Sequence, residues 1–181
     1  MRIDGNENME QPEYGCFFCR TGSELQVARE IERVLPMAAA LVPTKLRTRR
    51  IDGKPIEEKV TLFPGYVFAR MISDSHVYDL PQQRQILRIL TDSEGDWKLK
   101  GSDRAFAEGL FQSGGVLGFS KAYYDVNDRI HVIEGPLADY NGQILRVNRR
   151  NKTAEVQICF QGISMKVWLG FELIEMNPCQ E

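Results

Sequence analysis

Histidine is scarce in this sequence. His76 and His131 are the only two among 181 residues, and neither sits in a motif that suggests catalysis. Long apolar runs are missing too. None approaches the roughly 18 residues that a membrane helix needs. The start, Met1 to Gln11, is polar and has no apolar h-region, so no signal peptide is visible. It reads as a disordered tail over 1–12, ahead of a cytoplasmic protein. Cysteine is limited to Cys16, Cys19, Cys159 and Cys179. Cys16 and Cys19 make a C-x-x-C, but the segment from Tyr14 to Arg20 reads as a strand. Residues three apart on a strand point to opposite faces, so these thiols cannot share a metal. Cys159 and Cys179 form no second pair with ligand spacing, and the cysteines read as small hydrophobes. Paired carboxylates, a phosphate loop and a nucleophile–base motif are all absent, which argues against an enzyme and implies no cofactor. The formal net charge is only −2.

What is present is patterning. Tyr14 to Arg20 is the first strand. Ser23 is a fair N-cap for a helix from Glu24 to Leu35, with Leu25, Ala28, Ile31, Val34 and Leu35 at helical spacing, stopped by Pro36. A short strand over Ala38–Val42 ends at Pro43. Residues 44–61 read as a β-ribbon turning at Asp52-Gly53. Its outgoing strand places Lys45, Arg47 and Arg49 on one face, with Arg50 at the turn. Tyr66–Met71 is the most continuous strand of this half and is expected to be central. A broken helix near Ser75–Arg84, a strand from Ile86 to Thr91, an extended piece from Trp97 to Lys100 and a helix from Asp103 to Gln112 complete it. Ser102 is the expected N-cap of that last helix, which turns Phe106, Leu110 and Phe111 inward. The order describes an α+β sandwich with helices on a mostly antiparallel sheet.

From Val126 the pattern becomes short strands of period two: Arg129–Ile133, Gln143–Asn148, Ala154–Phe160, Ile163–Leu169 and Phe171–Ile174. Five strands in this length suggest a small SH3-like β-barrel. Alternation points Val132, Leu145, Val147, Ala154, Val156, Ile158, Ile163, Met165, Val167 and Leu169 inward. It leaves Arg146, Asn148, Gln157, Lys166 and Trp168 outside.

Two segments carry a resemblance. Leu62-Phe63-Pro64-Gly65-Tyr66-Val67-Phe68 closely resembles the F-P-G-Y-V-F hallmark of the NusG N-terminal (NGN) domain. Asp128 to Ile144, with Gly135-Pro136 and Gly142 before the next strand, resembles a KOW motif. Together they place the chain with the NusG family of transcription elongation factors. The expected organisation is an NGN domain over 13–113, a short linker over 114–124 and a KOW domain over 125–181. Gly95-Asp96-Trp97-Lys98-Leu99, Gly114 to Lys121 and Glu134 to Leu137 are similar to the LoaP antiterminators. One departure stands out: where the family's first strand begins Trp-Tyr, this chain has Tyr14-Gly15.

The resemblance implies a monomer whose NGN domain binds the clamp helices of the largest subunit of bacterial RNA polymerase. Carried over by position, the contacts are Phe18, Phe63, Pro64, Gly65, Tyr66 and Tyr14, with His76 near a loop by which related RfaH proteins reach the polymerase gate. Lys45, Arg47 and Arg49 of the ribbon suit the phosphates of upstream or non-template DNA, and Arg20 suits the displaced strand. The LoaP likeness implies that the KOW barrel takes an RNA hairpin in an operon leader and promotes read-through of long operons. Residues 125–181 hold six Lys or Arg against eight Asp or Glu, so a globally basic module is excluded. The cations are nevertheless bunched. Arg146, Arg149, Arg150 and Lys152 cluster at one hairpin, with Arg129, Lys166 and Trp168 as candidate neighbours. The alternatives are a general NusG acting through Rho or ribosome contacts, and a ribosome-associated KOW protein.

Overall fold

In a computed structural model, the structure describes residues 11–35, 37–72, 77–82 and 85–175. The side chains of residues 79, 81, 82 and 140–142 lie outside the description. The chain divides into two compact units, Met1–Val42 with Gly65–Glu108, and Pro43–Pro64 with Gly109–Glu181. The ribbon therefore leaves the first half of the sequence to join the second unit.

The first unit is built on a four-stranded antiparallel sheet. Its strands are β1 (Glu13–Cys19), β2 (Ala39–Leu41), β5 (Tyr66–Met71) and β6 (Ile86–Ile89), in the order β2-β5-β1-β6. The apolar run of β5 is explained by its place, as an interior strand covered on both faces. Helix α1 (Glu24–Val34) lies on one face, where Val27, Ala28 and Ile31 join Phe17, Cys19, Val67, Ala69 and Met71 in one core. The helical register differs from expectation by part of a turn. Leu25 is exposed, and Glu24 and Val27 are the buried positions. Ser23 precedes the helix but makes no side-chain cap. The Glu24 carboxylate instead accepts the Gly22 N–H at 2.8 Å. Helix α2 (Gly101–Gln112) starts two residues earlier than expected, so Ser102 lies within it. Its Phe106 ring meets Phe68 edge-on at 6.1 Å, while Leu110 is buried and Phe111 half-buried. The Pro81-containing segment is a 3-10 helix over Val77–Gln82. No described helix is long and apolar enough to cross a membrane.

Cys16 and Cys19 are both buried in β1, and both are free thiols. Burial pushes the Cys16 thiol well above its ordinary value and takes Cys19 up to about 11. Cys159 is exposed, and Cys179 lies outside the described residues.

Gly15, the departure from the family pattern, has a local reason. A Cβ there would come within 2.8 Å of the Trp97 indole. Trp97 is 2% exposed and belongs to the α1 core. Its ring occupies the space above the bare backbone of Gly15.

The second unit contains two sheets. The ribbon is β3 (Thr44–Ile51) with β4 (Lys54–Thr61), paired in full register from Thr44↔Thr61 to Ile51↔Lys54. Asp52 and Gly53 both have positive φ, 51° and 78°, the two-residue turn that the Asp-Gly pair announces. Arg50 is inside β3, opposite Pro55, and not at the turn. A short strand β7 (Val116–Leu117) pairs parallel with the base of β3.

The other sheet has five strands in the order β10-β11-β12-β8-β9. They are β8 (Ser120–Tyr124), β9 (Ile130–Glu134), β10 (Ile144–Asn148), β11 (Thr153–Phe160) and β12 (Ile163–Leu173). The strand count matches expectation but its membership does not. Residues 163–173 form one long strand in place of two, and β8 comes from the segment expected to be a connector. The inward positions Ala154, Val156, Ile158, Val167 and Leu169 are buried; Val132, Val147, Ile163 and Met165 are half-buried. Leu145 is 45% exposed because the β10–β11 pairing carries a bulge between Ile144 and Arg146. Leu137, Phe160 and Phe171 complete this core. The Gly-Pro corner fits closely. Gly135 has φ 94°, and a Cβ there would lie 2.7 Å from the Ser120 Cα. The Ser120 hydroxyl accepts the buried Leu137 N–H at 2.9 Å.

Candidate functional site

Two surfaces gather the sequence-predicted residues, one in each unit. On the first, Tyr66 of β5, Phe18 of β1 and Arg88 of β6 are cross-strand neighbours in register. Side chains opposite one another on a sheet share a face. The Phe18 and Tyr66 rings lie 5.1 Å apart, and the Arg88 guanidinium sits 5.5 Å from the Phe18 centroid. Phe18 and Tyr66 are half-buried and Arg88 is exposed.

The row is held from behind by Gly65, which has φ 87°. Its N–H donates to Glu24 Oε1 at 2.7 Å, and its carbonyl accepts the Cys19 N–H at 2.8 Å. A Cβ on Gly65 would lie 3.1 Å from both the Phe18 ring and the Cys19 carbonyl oxygen. Glycine there lets the Phe18 ring rest directly on backbone.

Not every predicted contact belongs to that surface. Phe63 is 1% exposed and Tyr14 4%, so both rings are core and present no area to a partner. The Arg104 guanidinium stacks over Tyr14 at 5.5 Å and holds Glu13 Oε2 at 2.7 Å. Pro64 is exposed and Gly65 buried. His76 lies outside the described residues. Arg20, at the end of β1, is exposed. Arg88 was not foreseen. It stands in a strand chosen for its apolar residues, and only cross-strand register identifies it.

On the second unit, β3, the β10–β11 hairpin and β12 enclose a groove of about 950 Å³. Its cations are Lys45, Arg47 and Arg50 from the ribbon and Arg150 and Lys152 from the hairpin, with Trp168 and Phe119 as aromatic lining. Lys45 Nζ donates to the Trp168 carbonyl at 2.6 Å and so ties the ribbon to β12. Burial, and then the neighbouring Arg47, push the Lys45 ammonium below its ordinary pKa. The hairpin is tied at its tip, where the Phe171 N–H donates to the Lys152 carbonyl at 2.9 Å. Gly170 is covered by Phe119. A Cβ there would be 2.4 Å from that ring.

The remaining cations are sorted by their partners. Arg47 is held by Glu58, with Nε at 2.9 Å. Arg149 is committed to Asp128, at 3.0 Å to its carboxylate and 2.7 Å to its carbonyl, and lies over the Tyr124 ring at 4.4 Å. Arg146 is exposed, 3.8 Å from Glu155. Lys166 and Arg129 are exposed and away from the groove lining, and so is Arg49. The structure puts Arg50, not Arg49, into the groove. Phe119 and Gly170 were missed, although the apolar character of 114–124 was the signal.

Residues 15–104 match the family model described as NusG, transcription termination factor. The transcription termination/antitermination protein NusG of Pseudomonas aeruginosa is 25% identical over 138 residues, covering 75% of this chain and 77% of its own length. The NusG of Vibrio parahaemolyticus is 24% identical over 175 residues, 86% of this chain and 90% of its own. Among solved structures, one described as domain interaction in Thermotoga maritima NusG covers 88% of this chain and 94% of its own at a TM-score of 0.54 and 19% identity, a likeness of fold. Residues 15–104 form a domain of the NusG family, and the chain is similar to NusG proteins over most of its length.

Proposed function

We propose that the protein is a NusG-type transcription factor that docks on bacterial RNA polymerase through the Tyr66–Phe18–Arg88 row. The observation that carries this reading is the row itself: two half-buried aromatics in register, capped by an exposed guanidinium and seated on the glycine of the F-P-G-Y segment. Aromatic anchors flanked by arginine are the usual centre of a protein interface, and a coiled-coil tip presents the apolar ridge such a seat accepts. Pro64 borders the seat in sequence. The finer reading is antitermination of the LoaP kind, with an RNA hairpin held by the second unit and read-through of long operons as the outcome.

The test is binding of the full chain to purified polymerase core. Phe18→Ala and Tyr66→Ala are each expected to weaken binding about tenfold or more, the ~1.4 kcal/mol or greater typical of an anchor. Wild-type affinity in both variants, or no binding by the native chain, overturns the docking reading. A general NusG acting through Rho or the ribosome is the second reading. It is favoured by the names of the curated relatives, both termination/antitermination proteins. Absence of any affinity for leader RNA would select it.

A further inference from the structure

Resting on the reading that this protein works beside a transcript, we propose that the groove between ribbon and barrel binds a short run of unpaired nucleotides. Arg50, Arg150 and Lys152 hold its phosphates, and Trp168 stacks on a base.

Four observations converge on this groove. The first is which cations are free. Lys45, Arg47 and Arg149 are spent on Trp168, Glu58 and Asp128. Arg50, Arg150 and Lys152 make no ion pair or side-chain hydrogen bond among the described residues, and all three line the groove. An arginine or lysine with no internal carboxylate is the one able to release counterions from a phosphodiester.

The second is charge. Residues 125–181 alone are net acidic, six cations against eight anions. The folded second unit also takes in Pro43–Pro64 and Gly109 onward, and holds thirteen Lys or Arg against eleven Asp or Glu. The ribbon reverses the sign of the module. In the groove itself five cations face two carboxylates, Glu57 and Glu172.

The third is size and chemistry. A volume of about 950 Å³ is at the upper end of the roughly 300–1,000 Å³ that encloses a compact ligand. That is room for a few nucleotides of one strand and not for a duplex. Trp168 is half-buried at the groove wall, where a base must leave its own stack to reach it. Stacking on such a platform is how single strands are held with little sequence preference.

The fourth is rigidity. The walls are pinned by the Lys45 bond to β12, by the Phe171–Lys152 backbone bond and by Phe119 lying on Gly170. The site therefore exists before the ligand arrives, and little ordering cost falls on binding.

The experiment is a tryptophan-fluorescence titration of the full chain with mixed-sequence eight-nucleotide RNA, the same sequence as DNA, and the blunt duplex of each, at several salt concentrations. Quenching is expected with single strands and not with duplexes. The RNA and DNA arms identify which strand is preferred. Trp168→Phe should abolish the quenching. The triple variant Arg50→Ala, Arg150→Ala, Lys152→Ala should lower affinity at least about tenfold and flatten the salt slope by roughly 0.7 per cation removed. Lys121→Ala, which removes a cation paired with Glu134 on the same unit, should leave affinity unchanged. Equal affinity for duplex, quenching that persists without Trp168, or wild-type binding by the triple variant overturns the groove. Polymerase binding is measured alongside. Its loss in the native chain sinks the docking reading and leaves the groove standing, whereas a triple variant that keeps polymerase and loses oligonucleotide supports both.

Discussion

The carboxylate of Glu24 accepts the backbone N–H of Gly65 at 2.7 Å and, through its other oxygen, that of Gly22 at 2.8 Å. One side chain at the start of α1 thereby fixes the corner that carries Tyr66 and the glycine under Phe18. Glu24 is 7% exposed, so removing it strands two poorly hydrated donors. Glu24→Ala is expected to cost about 2–4 kcal/mol in urea denaturation and to weaken polymerase binding with Phe18 and Tyr66 intact. Glu24→Gln, which keeps one acceptor oxygen, should cost less. Equal stability of Glu24→Ala and the native chain would refute the role.

Gly15 and Trp97 form a matched pair. Gly15→Ala puts a methyl 2.8 Å from the indole, and overpacking of that kind costs about 1–3 kcal/mol. The expected result is a lower Tm with altered Trp97 emission. Adding Trp97→Leu to Gly15→Ala should cost less than the two single losses combined, because the clash is gone. Strict additivity in this cycle would mean that the two residues do not meet.

The Gly135 corner predicts a hierarchy within the second unit. Gly135→Ala combines a positive φ with a 2.7 Å approach to backbone, and is expected to unfold or severely destabilise the unit. Ser120→Ala loses only the bond to the buried Leu137 N–H, about 1–3 kcal/mol. Circular dichroism and urea midpoints separate the two. A milder effect for Gly135→Ala would contradict the geometry.

Acid should loosen the segment around Trp97. The Asp92 carboxyl is held below its ordinary range by Lys100 and by the N–H groups of Asp96 and Glu94, and Asp96 is lowered by Lys100 and the Lys98 N–H. Groups with a depressed folded pKa contribute stability above their unfolded value, about 3.9 for Asp. That contribution is lost as pH falls through the lower folded values. Both are at the surface, so the effect is local. Trp97 emission is expected to hold steady from pH 7 to about 4 and to change below it, and Asp92→Asn should shrink the change. A transition centred near pH 6 would point to other groups.

The hydrophobic period, the Asp-Gly turn and the F-P-G-Y segment were legible because each is a local signal with a local cause. Helix α1, the ribbon and β5 follow from them almost residue for residue. The errors lie where a distant partner decides. Leu25 lost its inward place to Val27 because the core is reached from a slightly rotated face. A bulge in β10 turned Leu145 outward. The connector proved to be strand material, since β8 finds β9 and β12 as partners. The sites were harder to read. Phe63 and Tyr14 carry the right residue type but are buried, and Arg149 has its own carboxylate. Arg88, Arg50 and Phe119 matter only through neighbours that sequence spacing does not reveal.

The docking of β3 on β7 carries a cost during synthesis. Thr44 bonds Gly115, 71 positions further along, so the hairpin emerges from the ribosome well before the strand that receives it exists. A lone two-stranded hairpin is marginal in water, and pairings this distant form late. Until then both of its strands are open edges, and β4 remains one in the folded sheet, whose order is β4-β3-β7. Lys54, Pro55, Glu57, Glu58 and Lys59 on β4 are the residue types that discourage a neighbouring nascent chain from adding itself there.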